Sequence, residues 1–372
     1  MIRCVDEYAP VSLTSPAHNE GTEETVIRAE DPLTVPTWDQ LVAATRDYSF
    51  FHGSAWARVL QETYGFKSHY LVARDDSSIN GLLPIMEVDS WLTGRRGVSL
   101  PFTDDCATIA PDPETFEHLH RQALQLGKSR RWKYFESRSP GSANIATEIA
   151  ARPSVSFYGH RLDLTIGEEA LRARLESSVR RAIRKGEAAG VKVEISSTLE
   201  AMRTYYNLHC KTRKKHGVPP QPFTFFASIY RQILAQNLGF VATARIHDTP
   251  IAAAVYFHLG TRAIYKFGAS DDAYLELRGN NQVMWHAIQW YARAGFESLD
   301  FGRTSLSNDG LRRFKLGWGG TEKQINYFKY DFREEQYVPD RDDAVGWKNR
   351  IIGRLPIGIG KLIGSFFYRH AA

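Results

Sequence analysis

Between Phe240 and Phe301 the hydrophobic period of the chain switches from two to about 3.6 and back, an order that few folds accommodate. Phe240 to His247 and Ile251 to Leu259 flank Asp248-Thr249-Pro250, a tight polar turn, and read as a hairpin. Ala263 to Phe267 would add a third antiparallel strand. Asn280 to Ala294 is helix-periodic and stopped by Gly295, and Ser298 to Phe301 returns to strand alternation. Two long helical patterns, Glu168 to Ala189 and Thr198 to His216, come before this meander. A shorter one, Phe225 to Gln236, follows the proline-rich turn Val218 to Pro222. Helices, meander, helix, strand is a layered α/β plan.

The same order occurs earlier with shorter helices. Trp38 to Tyr48 and Ser54 to Tyr64 read as helices, then Tyr70 to Ala73 and Gly81 to Val88 as strands around a turn at Asp75 to Asn80. Val98 to Thr103 is a strand interrupted by Pro101, Thr115 to Leu126 a helix, and Trp132 to Ser137 a strand. We therefore expect two tandem copies of one α/β fold with mixed, largely antiparallel sheets, over residues 31–155 and 156–340. A length of 372 residues suits two domains. Residues 1–30, rich in Glu, Thr, Ser and Pro, read as a mobile tail, and residues 341–372 as a separate basic, amphipathic segment.

Several chemistries are excluded. Cys4, Cys106 and Cys210 show no paired spacing and no nearby His pair, which argues against a disulfide framework or a metal site and suits a reducing cytoplasm. No secretory pattern opens the chain, and no run approaches the ~20 apolar residues of a membrane span. The expectation is a cytoplasmic protein, soluble or peripheral on the inner membrane. GxSxG, HExxH, Walker and GxGxxG patterns are missing. That argues against a covalent enzyme intermediate and favours direct attack by a substrate amine.

Candidate chemistry gathers in a few places. Asp300 to Gly320 reads DFGRTSLSNDGLRRFKLGWGG, and Lys315 sits between the apolar Phe314 and Leu316. A lysine that loses water there is a strong point charge for a developing oxyanion; alternatively its stem packs and its head snorkels to solvent. Adjacent Asp104 and Asp105 follow a strand end, where they orient or deprotonate an amine, or simply cap a loop. Taken as one helix, residues 168–189 place Leu171, Leu175, Val179 and Ile183 opposite Arg174, Arg180, Arg181, Arg184 and Lys185. With Lys211, Arg213, Lys214 and Lys215 this makes a surface for phosphate, or a solvated face. Arg278-Gly279-Asn280-Asn281 opens a helix whose amides can hold an anion, Asn280 or Asn281 reading equally as its N-cap. From Trp347 to Arg369 basic and apolar residues interleave as in an interfacial segment that meets an anionic membrane surface, or in a terminal helix docked on the protein itself.

SSVRRAIRKGEAAGVKV (177–193), TRKKHGVPPQP (212–222), YKFGASDDAY (265–274), LDFGRTS (299–305) and GLRRFKLGWGG (310–320) together resemble the Fem-type peptidoglycan-bridge aminoacyltransferases. The likeness is greater still to FemAB-like, GNAT-superfamily relatives in Gram-negative bacteria associated with exopolysaccharide export. It runs from about Phe50 to Tyr330. The resemblance implies two tandem GNAT-like domains and an N-acyltransferase that builds an amide on an amine of a cell-envelope precursor.

By the same resemblance, Phe314-Lys315 corresponds to a Phe-Lys pair whose lysine holds the tetrahedral oxyanion. Asp105, or its neighbour Asp104, corresponds to an acidic residue facing the acceptor amine, and Lys215 to a basic residue in a T-x-x-R-x-G run. Arg303 and Tyr265 would line the cleft, with Arg180, Arg181, Arg184 and Lys215 holding phosphate. No tightly bound cofactor and no metal are implied. The donor would be an aminoacyl-tRNA, making tRNA a partner, or an acyl-CoA acting on an exopolysaccharide amino sugar. A non-catalytic phosphate- or lipid-binding adaptor is the remaining alternative. Leu60 stands where lipid-linked-precursor binders carry a basic residue, no coiled-coil insertion interrupts the second unit, and the full glycine-rich loop of acetyl-CoA enzymes is missing at Arg278 to Asn281.

Overall fold

The computed structural model describes residues 27–75, 77–139, 152–340 and 356–370. The expected tail lies outside them up to residue 26, and its last four residues are ordered as strand β1 (Ile27–Glu30). The first unit continues with α1 (Trp38–Ala43), α2 (Ser54–Tyr64), β2 (Lys67–Ser68), β3 (Tyr70–Arg74) and β4 (Ile79–Leu83). It closes with β5 (Met86–Ser90), β6 (Gly94–Ser99), α3 (Pro113–Arg130) and β7 (Tyr134–Arg138). The second opens with β8 (Val155–Asp163), α4 (Glu168–Arg174), α5 (Ser177–Ala188), β9 (Lys192–Ser196), α6 (Leu199–Lys215) and α7 (Phe223–Gln232). Then come β10 (Gly239–Ile246), β11 (Thr249–Leu259), β12 (Arg262–Ser270), α8 (Gly279–Arg293), β13 (Ser298–Ser305) and α9 (Asp309–Leu316). The described chain ends with β14 (Thr321–Asp331), β15 (Gln336–Val338) and α10 (Ile357–Phe367).

The duplicated plan is visible in the pairing. In each unit a strand runs through a helix into a parallel neighbour: β6–α3–β7 in the first, β12–α8–β13 in the second. The other strand pairs are antiparallel, so the sheets are mixed and largely antiparallel, as expected. A small sheet has the order β1-β3-β4, and a twelve-stranded sheet the order β2-β5-β6-β7-β14-β8-β13-β12-β11-β10-β9, with β15 on β14.

Local chemistry sets the boundaries. Asp112 accepts the Thr115 amide at 2.7 Å with Pro113 as the first residue of α3, and Thr198 accepts the Ala201 amide ahead of α6. The strand expected over Gly81 to Val88 is split by Pro84, which has no N–H for a ladder. β4 pairs with β3 and β5 with β6, in different sheets. The single helix expected over residues 168–189 breaks at Leu175 and Glu176, where ψ is 138° and 151°. Glu176 gives its amide to the Gly317 carbonyl at 2.9 Å instead of to α4. The helix expected to reach Tyr48 stops at Ala43. Tyr48 instead packs under the Arg262 guanidinium and accepts the Thr261 amide, both in the second unit.

The units share a core. Trp56 and Phe51 of the first pack in one cluster with Tyr205, Phe225, Phe226 and Phe257 of the second. Trp56 lies 5.9 Å, ring to ring, from both Phe225 and Phe257. Trp56→Ala should therefore cost about 3–5 kcal/mol and weaken both units together. Denaturant unfolding followed by circular dichroism should show one transition at lower midpoint; two separated transitions would contradict a shared core.

Candidate active site

β12 and β13 are paired only as far as Ile264 and Asp300. Beyond that point β12 stays with β11 to Ser270, while β13 shifts register and follows β8 to Ser305. Two parallel strands that separate leave a gap in the sheet, and a cleft of about 890 Å³ opens there. Its walls carry Tyr265 and Lys266 from β12, Phe301 to Arg303 from β13, Phe314 and Lys315 from α9, and Thr212 and Lys215 from α6. The first unit contributes Asp104.

Lys315 points inward. Asn308 caps α9 by accepting the Leu311 amide at 3.0 Å, and Lys315, 3% exposed, is the buried residue of this short amphipathic helix. Its ammonium donates to the Gly302 and Arg303 carbonyls, each at 2.9 Å. A protonated lysine has three N–H bonds, so one remains for a ligand in the cleft. Burial lowers its pKa to about 8, against the opposing pull of Asp104 and Asp300. The snorkelling alternative does not hold for Lys315. Gly302 has φ of +68°, and a Cβ there would meet the Asp104 carboxylate at 3.3 Å, so the turn that supplies the carbonyl needs glycine.

Asp104 faces the same cleft and forms an ion pair with Lys266 at 2.7 Å. Burial alone would raise its pKa, but Lys266 and Arg303 outweigh burial and hold it below the usual carboxylate range. An ionised, paired carboxylate orients an amine better than it removes a proton. The loop carrying it is pinned: Trp56 donates to the Pro101 carbonyl, Arg138 to that of Thr103, and the Tyr327 hydroxyl to that of Asp104 at 2.6 Å. Asp105 turns away and pairs with Lys323 on β14; it does not line the cleft.

Of the other expected residues, Phe314, Arg303, Tyr265, Asn280 and Lys215 line the cleft. Tyr265 fits because Gly268 has no Cβ, which would fall 1.7 Å from its hydroxyl. The Arg303 guanidinium lies over the Phe157 ring at 4.2 Å. Lys215 is paired with Asp272 at 2.9 Å and Lys211 with Asp271 at 2.6 Å, so the expected basic face on α6 is partly neutralised. Arg180 is spent on the end of α4, donating to the Ala173 and Leu175 carbonyls. Arg184 is exposed and lines neither cavity. Arg181 and Arg278, with Lys185 and Arg313, line a groove of about 540 Å³ that shares Gly310 and Phe314 with the cleft. Neither Asn280 nor Asn281 caps α8. The cap position is Arg278 in the left-handed region with no side-chain acceptor, and the Asn280 amide donates to Ser270 instead. Lys266 and Arg313 were not anticipated. Alternation on β12 marks Lys266 only as a half-buried strand position, and nothing in the sequence pairs it with a residue 162 positions away.

Residues 173–322 match the family model described as an acetyltransferase (GNAT) domain. The crystal structure of FemX superposes with a TM-score of 0.66 at 12% identity, covering 83% of this chain and 98% of FemX. A tandem GNAT protein from the clavulanic acid biosynthesis pathway gives 0.51 at 11% identity over 82% of this chain and 98% of its own. The C-terminal domain of a protein described as lysylphosphatidylglycerol synthetase, from Agrobacterium fabrum, gives 0.51 at 19% identity over 78% and 89%. No curated protein matches the sequence. The fold is thus that of tandem GNAT proteins, with the matched GNAT domain supplying most of the cleft. Residues 173–322 thus match a GNAT domain, and the chain as a whole shares its fold with FemX and a tandem GNAT protein.

Removing one member of this part-buried pair leaves the other unpaired in the cleft wall. Asp104→Asn and Lys266→Met should each cost about 3–5 kcal/mol, and the double variant less than their sum. The cost of Asp104→Asn should shrink as pH rises, because burial already lowers the Lys266 pKa and the unpaired amine can shed its proton. Urea unfolding at pH 7 and 9.5 measures this; additive, pH-independent costs would refute the coupling.

Proposed function

We propose that the protein is an N-acyltransferase that forms an amide on an amine of a cell-envelope precursor, by direct attack on an activated acyl or aminoacyl donor. The observation that carries this reading is Lys315: a buried ammonium with two N–H bonds fixed on backbone carbonyls and a third left for the cleft that Asp104 faces. The amine nitrogen attacks the donor carbonyl, a C–N bond forms, and the carbonyl electron pair moves onto oxygen. Lys315 donates to that oxyanion. Asp104 orients the amine through hydrogen bonding. Collapse expels the alcohol or thiol of the donor, and the proton lost by the amine leaves with that group. Arg181, Lys185, Arg278 and Arg313 give the adjoining groove the charge to hold donor phosphates. The FemX-like fold supports an aminoacyl donor, and the GNAT match supports an acyl-CoA.

Lys315→Met should lower kcat about 10²- to 10³-fold with little change in KM. In the parent protein kcat/KM should fall as pH rises through about 8, where the ammonium is lost. Lys315→Arg, which stays charged, should move that limb to higher pH. A rate that rises through pH 8 and holds would mean that the neutral amine acts as a base, and the oxyanion role would be wrong.

The donor is identified by binding. Acetyl-CoA and longer acyl-CoAs are compared with pooled aminoacyl-tRNA at two salt concentrations, in the parent and in Arg181→Glu/Arg313→Glu. Charged tRNA should bind with steep salt dependence that the variant flattens. Stabilisation by acyl-CoA alone would assign the amino-sugar N-acyltransferase, and no binding of either would favour the adaptor.

A further inference from the structure

We infer that α10 and the turn between β5 and β6 form a docking surface for an anionic lipid bilayer. α10 rests on the protein through glycine. Gly360 and Gly364 are its buried residues, and a Cβ on Gly364 would lie 1.9 Å from the Pro220 carbonyl oxygen. An ordinary amphipathic helix buries its apolar side chains and shows its polar ones. Here Leu362 is 72% exposed, Phe366 55% and Ile359 45%, at the three- and four-residue spacing of one helical stripe. Phe367 beside them is also exposed.

A second element joins this stripe. The β5–β6 turn exposes Trp91 at 78% and Leu92 at 49%. His370 ties it to the end of the helix: its Nδ1 is 2.9 Å from the Ser90 hydroxyl, and its carbonyl accepts from Thr93 at 3.1 Å and Arg96 at 2.8 Å. The His370 ring is edge-on to both Trp91 and Phe366. Turn and helix are thus held in one arrangement, and the exposed Trp91 and Phe366 are joined through the His370 ring that both touch. Such a contiguous patch is retained where something covers it.

Charge and shape choose the occupant. From Pro356 to His370 the chain holds Lys361 and Arg369 and no Asp or Glu, and Lys348, Arg350 and Arg354 precede them in the sequence, outside the described residues. A bilayer with anionic headgroups offers both an apolar layer and a negative rim. Trp91 has the ring that favours the water–hydrocarbon boundary. No described helix is long and apolar enough to cross a membrane, so α10 would lie in the interface plane. The surface adjoins the cleft through α6. Tyr368 bonds with Arg213 of that helix, whose Thr212 and Lys215 line the cleft. The inference stands whether or not the acyltransferase reading holds.

The full chain is sedimented with vesicles of phosphatidylcholine alone and with vesicles that also contain about 30% phosphatidylglycerol, whose headgroups are anionic. It should pellet with the anionic vesicles and stay in solution with the neutral ones. Leu362→Glu/Phe366→Glu and, separately, Trp91→Glu should each cut the bound fraction about tenfold, since a charge in the apolar layer is disfavoured. Because these side chains are exposed, thermal unfolding should be unchanged, which separates lost docking from lost folding. Failure to pellet with anionic vesicles, or equal pelleting of the variants, would overturn the proposal. So would a dimer in sedimentation equilibrium that the same variants abolish, because the patch would then belong to a second copy of the chain.

Discussion

Backbone hydrogen bonds along both edges of β14 make one sheet from two half-sheets that would otherwise each end in an open strand. β14 pairs with β7 from Tyr327 to Asp331 and with β8 from Thr321 to Tyr327, both antiparallel. It comes after β13 and α9 in sequence, so the chain must return across the molecule to fill the gap. Tyr327 in that strand bonds to the loop carrying Asp104, and Lys323 holds Asp105. The first unit thereby presents a carboxylate to a cleft that the second unit builds.

The cleft itself is a consequence of interrupted pairing. β12 and β13 are held together only over the stretch from Arg262 to Ile264 opposite Ser298 to Asp300. Past Asp300 the carbonyls of β13 have no β12 partner, and the Lys315 ammonium takes those of Gly302 and Arg303. The same contact therefore satisfies orphaned backbone groups and buries a cation beside the cleft. Burial lowers its pKa, and Asp104 and Asp300 limit how far it falls. Structure and proposed chemistry meet in one side chain.

Much of this was legible in the sequence because it depends on local periodicity. The meander β10–β11–β12, the helix α8 closed near Gly295, and the return strand β13 were readable from alternation and turn residues, and so was their earlier echo. Phe314-Lys315 stood out because a lysine flanked by apolar residues on an amphipathic stretch is unusual. Asp104 and Asp105 were read as a pair with either able to act, and nothing local distinguishes them. In the fold their side chains diverge, one to Lys266 and one to Lys323. The basic stripe over residues 168–189 was legible as charge, but its break at Leu175 and Glu176 depends on a hydrogen bond to Gly317, far away in sequence.

The sequence by itself determined the order of elements, the duplicated α/β plan and the residue types available for acyl transfer, since side-chain period and turn chemistry act over a few residues. Only the tertiary structure decided which of them meet. Strand β14 inserts between β7 and β8, Lys266 pairs with Asp104, and α10 turns its glycines inward and its leucine and phenylalanines outward. Each of these outcomes depends on contacts between residues remote in the chain, where the choice rests on burial, charge pairing and space for a backbone to approach, and no local pattern encodes the partner.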